Sequence, residues 1–445
     1  MRAGRYRKYP EFKDSKIEWV GEIPSWWDVK PLFSTVITDT EKNFNGYETN
    51  VLSLSYGNIV KRDVEANFGL LPESFNTYQL IGPGDLVLRL TDLQNDKRSL
   101  RVGFAKEKGI ITSAYLKLIA KSGEFDSRFL YRLLHSYDTT KVFYGMGGGL
   151  RQSMKFEDMR RLPVLVPPLD EQSKIAYFLD HETTNIDTLI DKQQQLIALL
   201  KEKRQAVISH AVTKGLNPDA PMKDSGVEWL GDVPEHWTTP ALGYCAKIST
   251  GATPNRSENA YWGGNIPWVK TGEVRYNDIF ETEEYITPTG LANSSVAISP
   301  PGTLLMAMYG QGVTRGRVAI LGVEATYNQA CAAIIPDGKI LNRYLRYFFI
   351  AAYHAIRDGG NETSQMNLNA DIVGKFKIIV PTLEEQNEIV RYLDDTLKRY
   401  ESLLQKSEEA ISYILERRTA LISAAVTGKI DVRDWQPPPC NPSTS

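Results

Sequence analysis

The amino-acid sequence repeats itself at a spacing of about 210 residues, and this duplication constrains the fold more than any other feature. Segment 13–27, with its Lys-Asp-Ser, Glu-Trp, Gly, Pro and Trp positions, returns as 223–237. A second block, 166–213, returns without a gap as 380–427, with about 19 of 48 positions identical. A period this long is typical of a duplicated domain with its connector, not of a solenoid. We therefore expect two copies of one fold.

The second repeated block predicts a long helix in each copy. Prolines precede it, carboxylates occupy its first turn, and Gly215 or Gly428 follows its end. Each run of about 42 residues lacks Gly and Pro and would extend about 63 Å as a helix, so it needs a partner. Apolar residues fall on two positions of a seven-residue repeat, which predicts a coiled-coil and partner-binding seam. They are Leu179, Ile186, Leu189, Leu196, Leu200 and, in the second copy, Leu393, Tyr400, Leu403, Ile414 and Leu421.

Two polar residues occupy matching positions in these predicted seams, Gln193 and Ser407. A buried polar residue at such a position can fix the register of paired helices. Simple solvent exposure at an irregular position explains them equally well, and the sequence leaves both interpretations open.

The regions between the repeated blocks, 29–165 and 238–379, predict α+β domains. Short β-type runs at Leu86–Leu90, Ile110–Ile119, Leu304–Met308 and Arg317–Leu321 are separated by Gly and Pro. A late amphipathic helix follows in each region, at about 126–138 and 342–357. Weak similarity between the two regions, such as Gly84-Asp85-Leu86 with Gly302-Thr303-Leu304, indicates one fold with different surfaces.

Composition and charge exclude several classes of protein. The net charge of −2 excludes a uniformly basic nucleic-acid coat, and no apolar run reaches the roughly 20 residues of a membrane span. The N-terminal residues lack the apolar stretch of a secretory signal, and the three cysteines are far apart in sequence. We expect a cytoplasmic protein with ordinary thiols and no membrane contact.

Motifs for catalysis are absent from the sequence. We find no phosphate-binding loop, nucleophile elbow, zinc-peptidase helix or dinucleotide fingerprint. The five histidines are scattered, so each is expected to be a surface or helix residue rather than a base or metal ligand. The sequence therefore predicts no catalytic residue, no metal and no cofactor on this chain.

Polar loops remain as candidates for DNA contact. Arg and Lys can bind guanine or phosphate, whereas Gln and Asn can pair with adenine. An ordinary solvated hairpin has the same composition, so the loops alone do not decide between the two. The candidates are Arg89, Lys97, Arg98, Arg101, Arg151, Gln152, Lys155, Lys270, Tyr309, Gln311, Thr314, Arg315, Arg317, Gln365 and Asn367.

The chain resembles the specificity subunits of Type I restriction-modification systems that have two target-recognition domains. The resemblance covers essentially the whole chain. It rests on the paired Trp-Gly-x-x-Pro-x-x-Trp segments, the paired Val-Pro-x-Leu-x-Glu-Gln helix starts and the stretch Tyr261–Trp268. The first domain lacks a counterpart to that last stretch.

The resemblance implies an organisation and a set of partners. Each target-recognition domain would read half of a bipartite site on double-stranded DNA, and the two long helices would pair antiparallel as a spacer. Two methyltransferase subunits would dock there and bring S-adenosylmethionine, and restriction subunits could join. The expected segments are an arm 1–28, domain 29–165, helix 166–213, connector 214–237, domain 238–379, helix 380–427 and tail 428–445.

Two other functions are open to a chain of this kind. One is a fused nuclease or methyltransferase, which would bind S-adenosylmethionine itself. The other is an assembly scaffold that never contacts DNA, whose polar loops would tolerate alanine substitution.

Overall fold

The computed structural model describes residues 6–62, 74–93, 96, 99–145, 153–310, 314–358 and 368–438. The chain divides into two compact units. The first unit comprises Met1–Gln193 and Glu409–Ser445, and the second comprises Gln194–Glu408. Both ends of the chain thus belong to one unit, and the middle of the chain forms the other.

The first unit contains an arm hairpin, a central sheet and one amphipathic helix above it. Its strands are β1 (Phe12–Asp14), β2 (Glu22–Pro24), β3 (Asp28–Pro31), β4 (Val36–Ile37), β5 (Leu52–Ser55), β6 (Asn58–Lys61), β7 (Gln79–Ile81), β8 (Leu86–Leu88), β9 (Val102–Phe104), β10 (Gly109–Ile111), β11 (Leu116–Ala120) and β12 (Pro163–Val166). Its helices are α1 (Leu32–Thr35), α2 (Ser127–Thr139), α3 (Phe156–Met159) and the beginning of α4 (Leu169–Lys214).

The central sheet of the first unit has the antiparallel order β4-β11-β8-β9. Strand β8 is buried on both faces, since Leu86, Val87 and Leu88 are completely covered. Helix α2 contributes Phe129, Leu130, Leu133 and Leu134 to the main core. The predicted run Ile110–Ile119 forms two separate strands, β10 and β11, because a turn interrupts it at residues 113–115.

The second unit repeats this plan with a larger sheet. Its strands are β13 (Met222–Asp224), β14 (Asp232–Pro234), β15 (Ala246–Thr250), β16 (Trp262–Val269), β17 (Asp278–Ile279), β18 (Glu284–Ile286), β19 (Leu304–Ala307), β20 (Val318–Leu321), β21 (Thr326–Tyr327) and β22 (Cys331–Pro336). Its helices are α5 (Pro288–Ala292), α6 (Asn342–Ala351), α7 (Tyr353–Asp358), α8 (Ala370–Lys375) and the beginning of α9 (Leu383–Val426).

The main sheet of the second unit has the order β15-β22-β19-β20-β17. Strand β17 runs parallel to β20, and the other pairs are antiparallel. A separate sheet of order β18-β16-β21 contains the Tyr261–Trp268 motif. The predicted helix 342–357 is divided into α6 and α7 at Ala352.

Matching hydrogen bonds indicate that the central strands of the two units share one topology, to which the second unit adds β17 and the β18-β16-β21 sheet. The arm hairpins β1–β2 and β13–β14 have the same register, displaced by 210 residues. Arg89 N donates to Arg101 O at 2.9 Å, and Ala307 N donates to Arg317 O at 2.9 Å. The two units are therefore α+β domains of common design.

The glutamine of the repeated Glu-Gln motif makes the same hydrogen bonds at the start of each long helix. Gln172 Nε2 donates to Pro167 O at 2.9 Å, and its Oε1 accepts from Asp126 N at 3.0 Å. In the second unit Gln386 Nε2 donates to Pro381 O at 3.0 Å, and its Oε1 accepts from Leu341 N at 2.7 Å. Each buried glutamine thus ties the start of the long helix to the backbone that precedes α2 or α6.

Each unit contains the beginning of one long helix and the end of the other. In the first unit, Ile186 of α4 and Leu421 of α9 belong to one core, and Arg418 Nε donates to Asp187 Oδ1 at 3.1 Å. In the second unit, Val212 of α4 shares a core with Leu393 of α9.

In both long helices, every second buried position lies one residue later than the seam that we predicted. Covered or half-covered residues recur at spacings of four and three: Leu179, Thr183, Ile186, Ile190, Gln193, Ile197, Leu200, Arg204 and Val207, and Leu393, Leu397, Tyr400, Leu404, Ser407, Ile411, Ile414, Arg418 and Leu421. Leu189, Leu196 and Leu403, which we predicted on the seam, are instead 44%, 43% and 49% exposed. The side chains one position later take their place.

Among the residues described, none of the helices has a stretch long and apolar enough to cross a lipid bilayer.

Candidate nucleic-acid interface

In both units, part of the described candidates lies at the end of the sheet where two neighbouring strands are connected. In the first unit, residues 89–101 connect β8 to β9, and in the second, residues 308–317 connect β19 to β20. A later segment closes on each connection through the backbone. Met154 N donates to Leu90 O at 2.8 Å, and Leu368 N donates to Met308 O at 3.3 Å. Each unit therefore brings two segments, distant in sequence, to one end of its sheet.

Arg89 and Lys155 are the described candidates that present charge at this end of the first unit. The Arg89 side chain is 33% exposed and lies 4.0 Å from the Asp96 carboxylate. Lys155 is exposed, and its backbone N donates to Asp158 Oδ2 at the start of α3. An ion pair of 4.0 Å between partly exposed side chains is weak.

Arg101, predicted as a DNA contact, is a structural residue. Its side chain is completely buried, and its guanidinium donates to the backbone carbonyls of Thr91, Asp92 and Asp96. Its backbone N donates to Asp138 Oδ2. A guanidinium held by three carbonyls shapes the 89–101 connection from inside and has no surface left for DNA.

In the second unit, Arg317 and Arg315 are positioned by aromatic and backbone partners. The Arg317 guanidinium lies over the Tyr276 ring, 5.8 Å from its centroid. Arg315 Nη2 donates to Arg357 O at 3.0 Å. Thr314 is half-buried, as is Tyr309, which packs against the main core of the unit. All four of these described side chains are therefore partly covered.

Lys270 belongs to a different part of the second unit. Its Nζ lies 2.8 Å from Glu284 and 3.1 Å from Glu283, and these hydrogen bonds raise the pKa of the Lys270 ammonium. Glu284 also pairs with Arg256, whose guanidinium lies 3.9 Å from the Trp262 ring centroid. Lys270 therefore neutralises an acidic pair beside the β16–β18 sheet.

Several other candidates lie outside the described residues: Lys97, Arg98, Arg151, Gln152, Gln311, Gln365 and Asn367. Their predicted role in DNA contact stays a prediction.

Sequence reasoning missed the β5–β6 hairpin of the first unit. Tyr56 forms its tip and is 72% exposed, and Asn58 beside it is also exposed. The signal for this hairpin was the Tyr-Gly-Asn turn between two runs of β-type residues. It was weak because asparagine or aspartate, rather than tyrosine, normally precedes glycine in such a turn.

The described histidine, cysteine and carboxylate side chains form no cluster of three that could hold a metal ion. Cys245 and Cys331 are buried, and burial raises the pKa of both thiols, to about 12 for Cys331. Neither is a reactive thiolate.

The long helices expose apolar side chains at repeat-equivalent positions. Leu189 and Tyr413 are 44% and 68% exposed in the first unit, and Leu403 and Leu199 are 49% and 55% exposed in the second. Leu189 corresponds to Leu403, and Leu199 to Tyr413, at an offset of 214 residues. Contiguous exposed apolar patches are typical of surfaces that bind partners, and these residues are candidates for such a patch in each unit.

Comparisons with known proteins identify relatives of one kind. The family model described as "Type I restriction modification DNA specificity domain" matches residues 100–199 and 234–412. The chain is 28% identical over 190 residues to the Type I restriction enzyme MjaIX specificity subunit of Methanocaldococcus jannaschii, a match that covers 40% of this chain and 43% of that protein. It is 22% identical over 444 residues to the putative type I restriction enzyme MjaX specificity subunit of the same organism. This match covers 96% of this chain and 99% of that protein.

A solved structure shares the fold. A chain from a study of assembly and conformational transition in a type I R-M system superimposes with a TM-score of 0.69 and 16% sequence identity. The superposition covers 92% of this chain and 99% of that one.

Proposed function

Because the chain belongs to the family of Type I restriction modification DNA specificity domains, we propose that it reads a bipartite DNA site for an adenine methyltransferase. Each unit reads one half-site with the polar segments at one end of its sheet. The observation that carries this proposal is the repeated construction of that end: two units with different sequences place equivalent connections, 89–101 and 308–317, on equivalent strands. Two domains that read different half-sites need the same backbone arrangement with different side chains, because side-chain contacts to base edges determine the sequence that is recognised.

The long helices set the distance between the half-sites and dock the methyltransferase subunits. The shared cores of α4 and α9 in each unit support the pairing of these helices. The exposed leucine and tyrosine side chains of the two units support two equivalent docking surfaces, one for each methyltransferase copy. S-adenosylmethionine is bound by those partners, and restriction subunits join the same complex in the cytoplasm.

The test is an exchange of one reading domain in the assembled methyltransferase complex. Residues 29–165 are replaced by the corresponding domain of a relative, and methylated adenines are mapped on genomic DNA. We expect one half of the recognised sequence to change while the other half and the spacer stay the same. An unchanged site, or a change in both halves, overturns the proposed division of labour.

Alanine substitution distinguishes a DNA reader from an assembly scaffold. Arg317→Ala should reduce methylation of the target by about tenfold, since one charge-assisted contact is worth roughly 1–3 kcal/mol. Lys339→Ala is the matched control, because Lys339 is exposed beside the opposite end of β22 and pairs only locally with Asp337 in the described structure. Equal activity of both variants would favour the scaffold.

A further inference from the structure

The β5–β6 hairpin is a two-stranded ribbon with an exposed aromatic tip. Leu52 pairs with Lys61, and Ser55 pairs with Asn58, which leaves Tyr56 and Gly57 as the two turn residues. Tyr56 is 72% exposed, and Asn58 and Lys61 are exposed along the second strand. The inner side of the ribbon packs on β9, where Gly103 meets the side chains of Leu54 and Ile59.

The tip of the ribbon lies beside the connection that already carries candidate DNA contacts. A Cβ on Gly57 would be 2.9 Å from Leu100 Cβ and 3.5 Å from Val102 O. Leu100 and Arg101 end the 89–101 connection, so the turn reaches the same end of the sheet as Arg89. The base of the ribbon lies toward the other end, where Asn50 Nδ2 donates to Lys108 O at 2.7 Å.

Tyrosine is an unfavourable residue for the position it occupies. Tyr56 has φ +46° and Gly57 has φ +79°, the two left-handed residues of a type I′ turn. Bulky residues avoid this region, and asparagine is preferred at the first position. The packing of the turn does not explain a tyrosine either, because most of its side chain is in solvent.

We infer that this ribbon enters the major groove of the half-site read by the first unit, with Tyr56 and Asn58 in contact with base edges. The inference rests on the proposed function. A two-stranded ribbon fits the major groove of B-form DNA, an asparagine amide can pair with adenine, and an aromatic ring can contact the thymine methyl group. Lys61 supplies positive charge on the exposed side of the same ribbon.

The test is Tyr56→Asn in the assembled methyltransferase complex. Asparagine suits the turn better, so the melting temperature should stay the same or rise by about 2 °C. Methylation at the target should fall by about tenfold, and substituted bases should be tolerated in one half-site only. Asn58→Ala should relax the same half-site.

The control is Tyr47→Asn in the same unit. Tyr47 is 87% exposed, and its neighbour Glu48 lies 3.8 Å from Lys108, at the other end of β9. This variant should methylate like the unsubstituted chain. Normal rate and normal specificity of Tyr56→Asn would overturn the inference. Failure of the unsubstituted complex to methylate any defined site would instead overturn the proposed function.

Discussion

Glu171 and Glu385 occupy the same position of the two repeats, and each receives a tryptophan indole from the arm of its unit. Glu171 is buried and accepts from Tyr9 Oη at 2.5 Å and from Trp27 Nε1 at 3.1 Å. Glu385 accepts from Trp237 Nε1 at 3.1 Å and is 2.8 Å from His236 Nε2. Partial burial alone would raise the pKa of Glu385, but hydrogen bonds from these partners and Thr382 hold it below its ordinary value. The tryptophan motif therefore fastens the arm to the long helix.

His135 makes the first unit sensitive to acid. It lies in α2, is 5% exposed, and its Nδ1 has no hydrogen-bond partner. Burial, together with the charges of Arg132 and Arg418, lowers the pKa of His135 from 6.5 to about 4. The unfolded chain therefore binds a proton between about pH 6.5 and 4 that the folded chain does not.

Stability should fall as the pH falls through this window, and His135→Leu should remove part of that dependence. At pH 5 the contribution is about 2 kcal/mol, from the two pKa values. The measurement is the melting temperature at pH 7 and pH 5 for both proteins. Since His210 is exposed, His210→Leu serves as the control. A slope that His135→Leu leaves unchanged would contradict the assignment.

Arg101 has a structural role that could not be predicted from the sequence. An arginine in a polar connection next to a strand has the composition of a DNA contact, and the sequence offered no sign that its guanidinium turns inward. Its partners are backbone carbonyls of Thr91, Asp92 and Asp96, which have no sequence signature. The position of the 89–101 connection between two strands was predictable, but the direction of each side chain in it was not.

At the scale of elements, the long helices were predictable in extent and partly in register. Pro, Gly and first-turn carboxylates mark the ends of helices, and the structure places α4 at Leu169–Lys214 and α9 at Leu383–Val426. The seam was harder to predict because apolar residues occupy neighbouring positions, as in Leu189-Ile190 and Leu196-Ile197. Sequence alone cannot decide which residue of such a pair faces the other helix.

Substitutions at one such pair should separate stability from assembly. Ile190 is half-buried against the core, so Ile190→Ala should lower the free energy of unfolding by about 1–2 kcal/mol. Leu189→Ala should change it by less than about 0.5 kcal/mol but weaken binding of the methyltransferase subunits. Urea unfolding and size-exclusion chromatography of the mixed subunits measure the two effects. If Leu189→Ala lowered stability and Ile190→Ala weakened assembly, Leu189 would lie on the seam, as the sequence predicted.

Under the proposed function, the two long helices of the full chain set the distance between the two units that read DNA. One heptad inserted after Gln193 and another after Glu408 would preserve the alternating spacing of buried residues and lengthen each helix by about 10 Å. The recognised spacer should then grow by about three base pairs, at 3.4 Å per pair. Methylation-site mapping gives the result. An unchanged spacer length would show that the helices do not set it.

Backbone and side-chain contacts join the arm of the first unit to the segment that follows α9. Asp431 N donates to Arg7 O at 2.8 Å, and the Arg433 guanidinium lies 4.8 Å from the Trp26 ring centroid. Lys429 Nζ donates to Glu22 O at 2.5 Å. In the second unit, Lys214 Nζ donates in the same way to Asp232 O, and a continuous linker takes the place of the two chain ends. The core of the first unit therefore includes residues from the segment that follows α9, such as Val432.

Each unit contains the beginning of one long helix and the end of the other. This arrangement limits what recombination between the two repeats of the gene could produce. An unequal crossover within the similar helix-coding segments would leave a polypeptide with one arm, one reading domain and one long helix. The beginning and end of that helix would each lack the partner segment that covers it in the duplicated chain. Such a product would bury them only by associating with a second molecule of itself, and under the proposed function its recognition sequence would become symmetric.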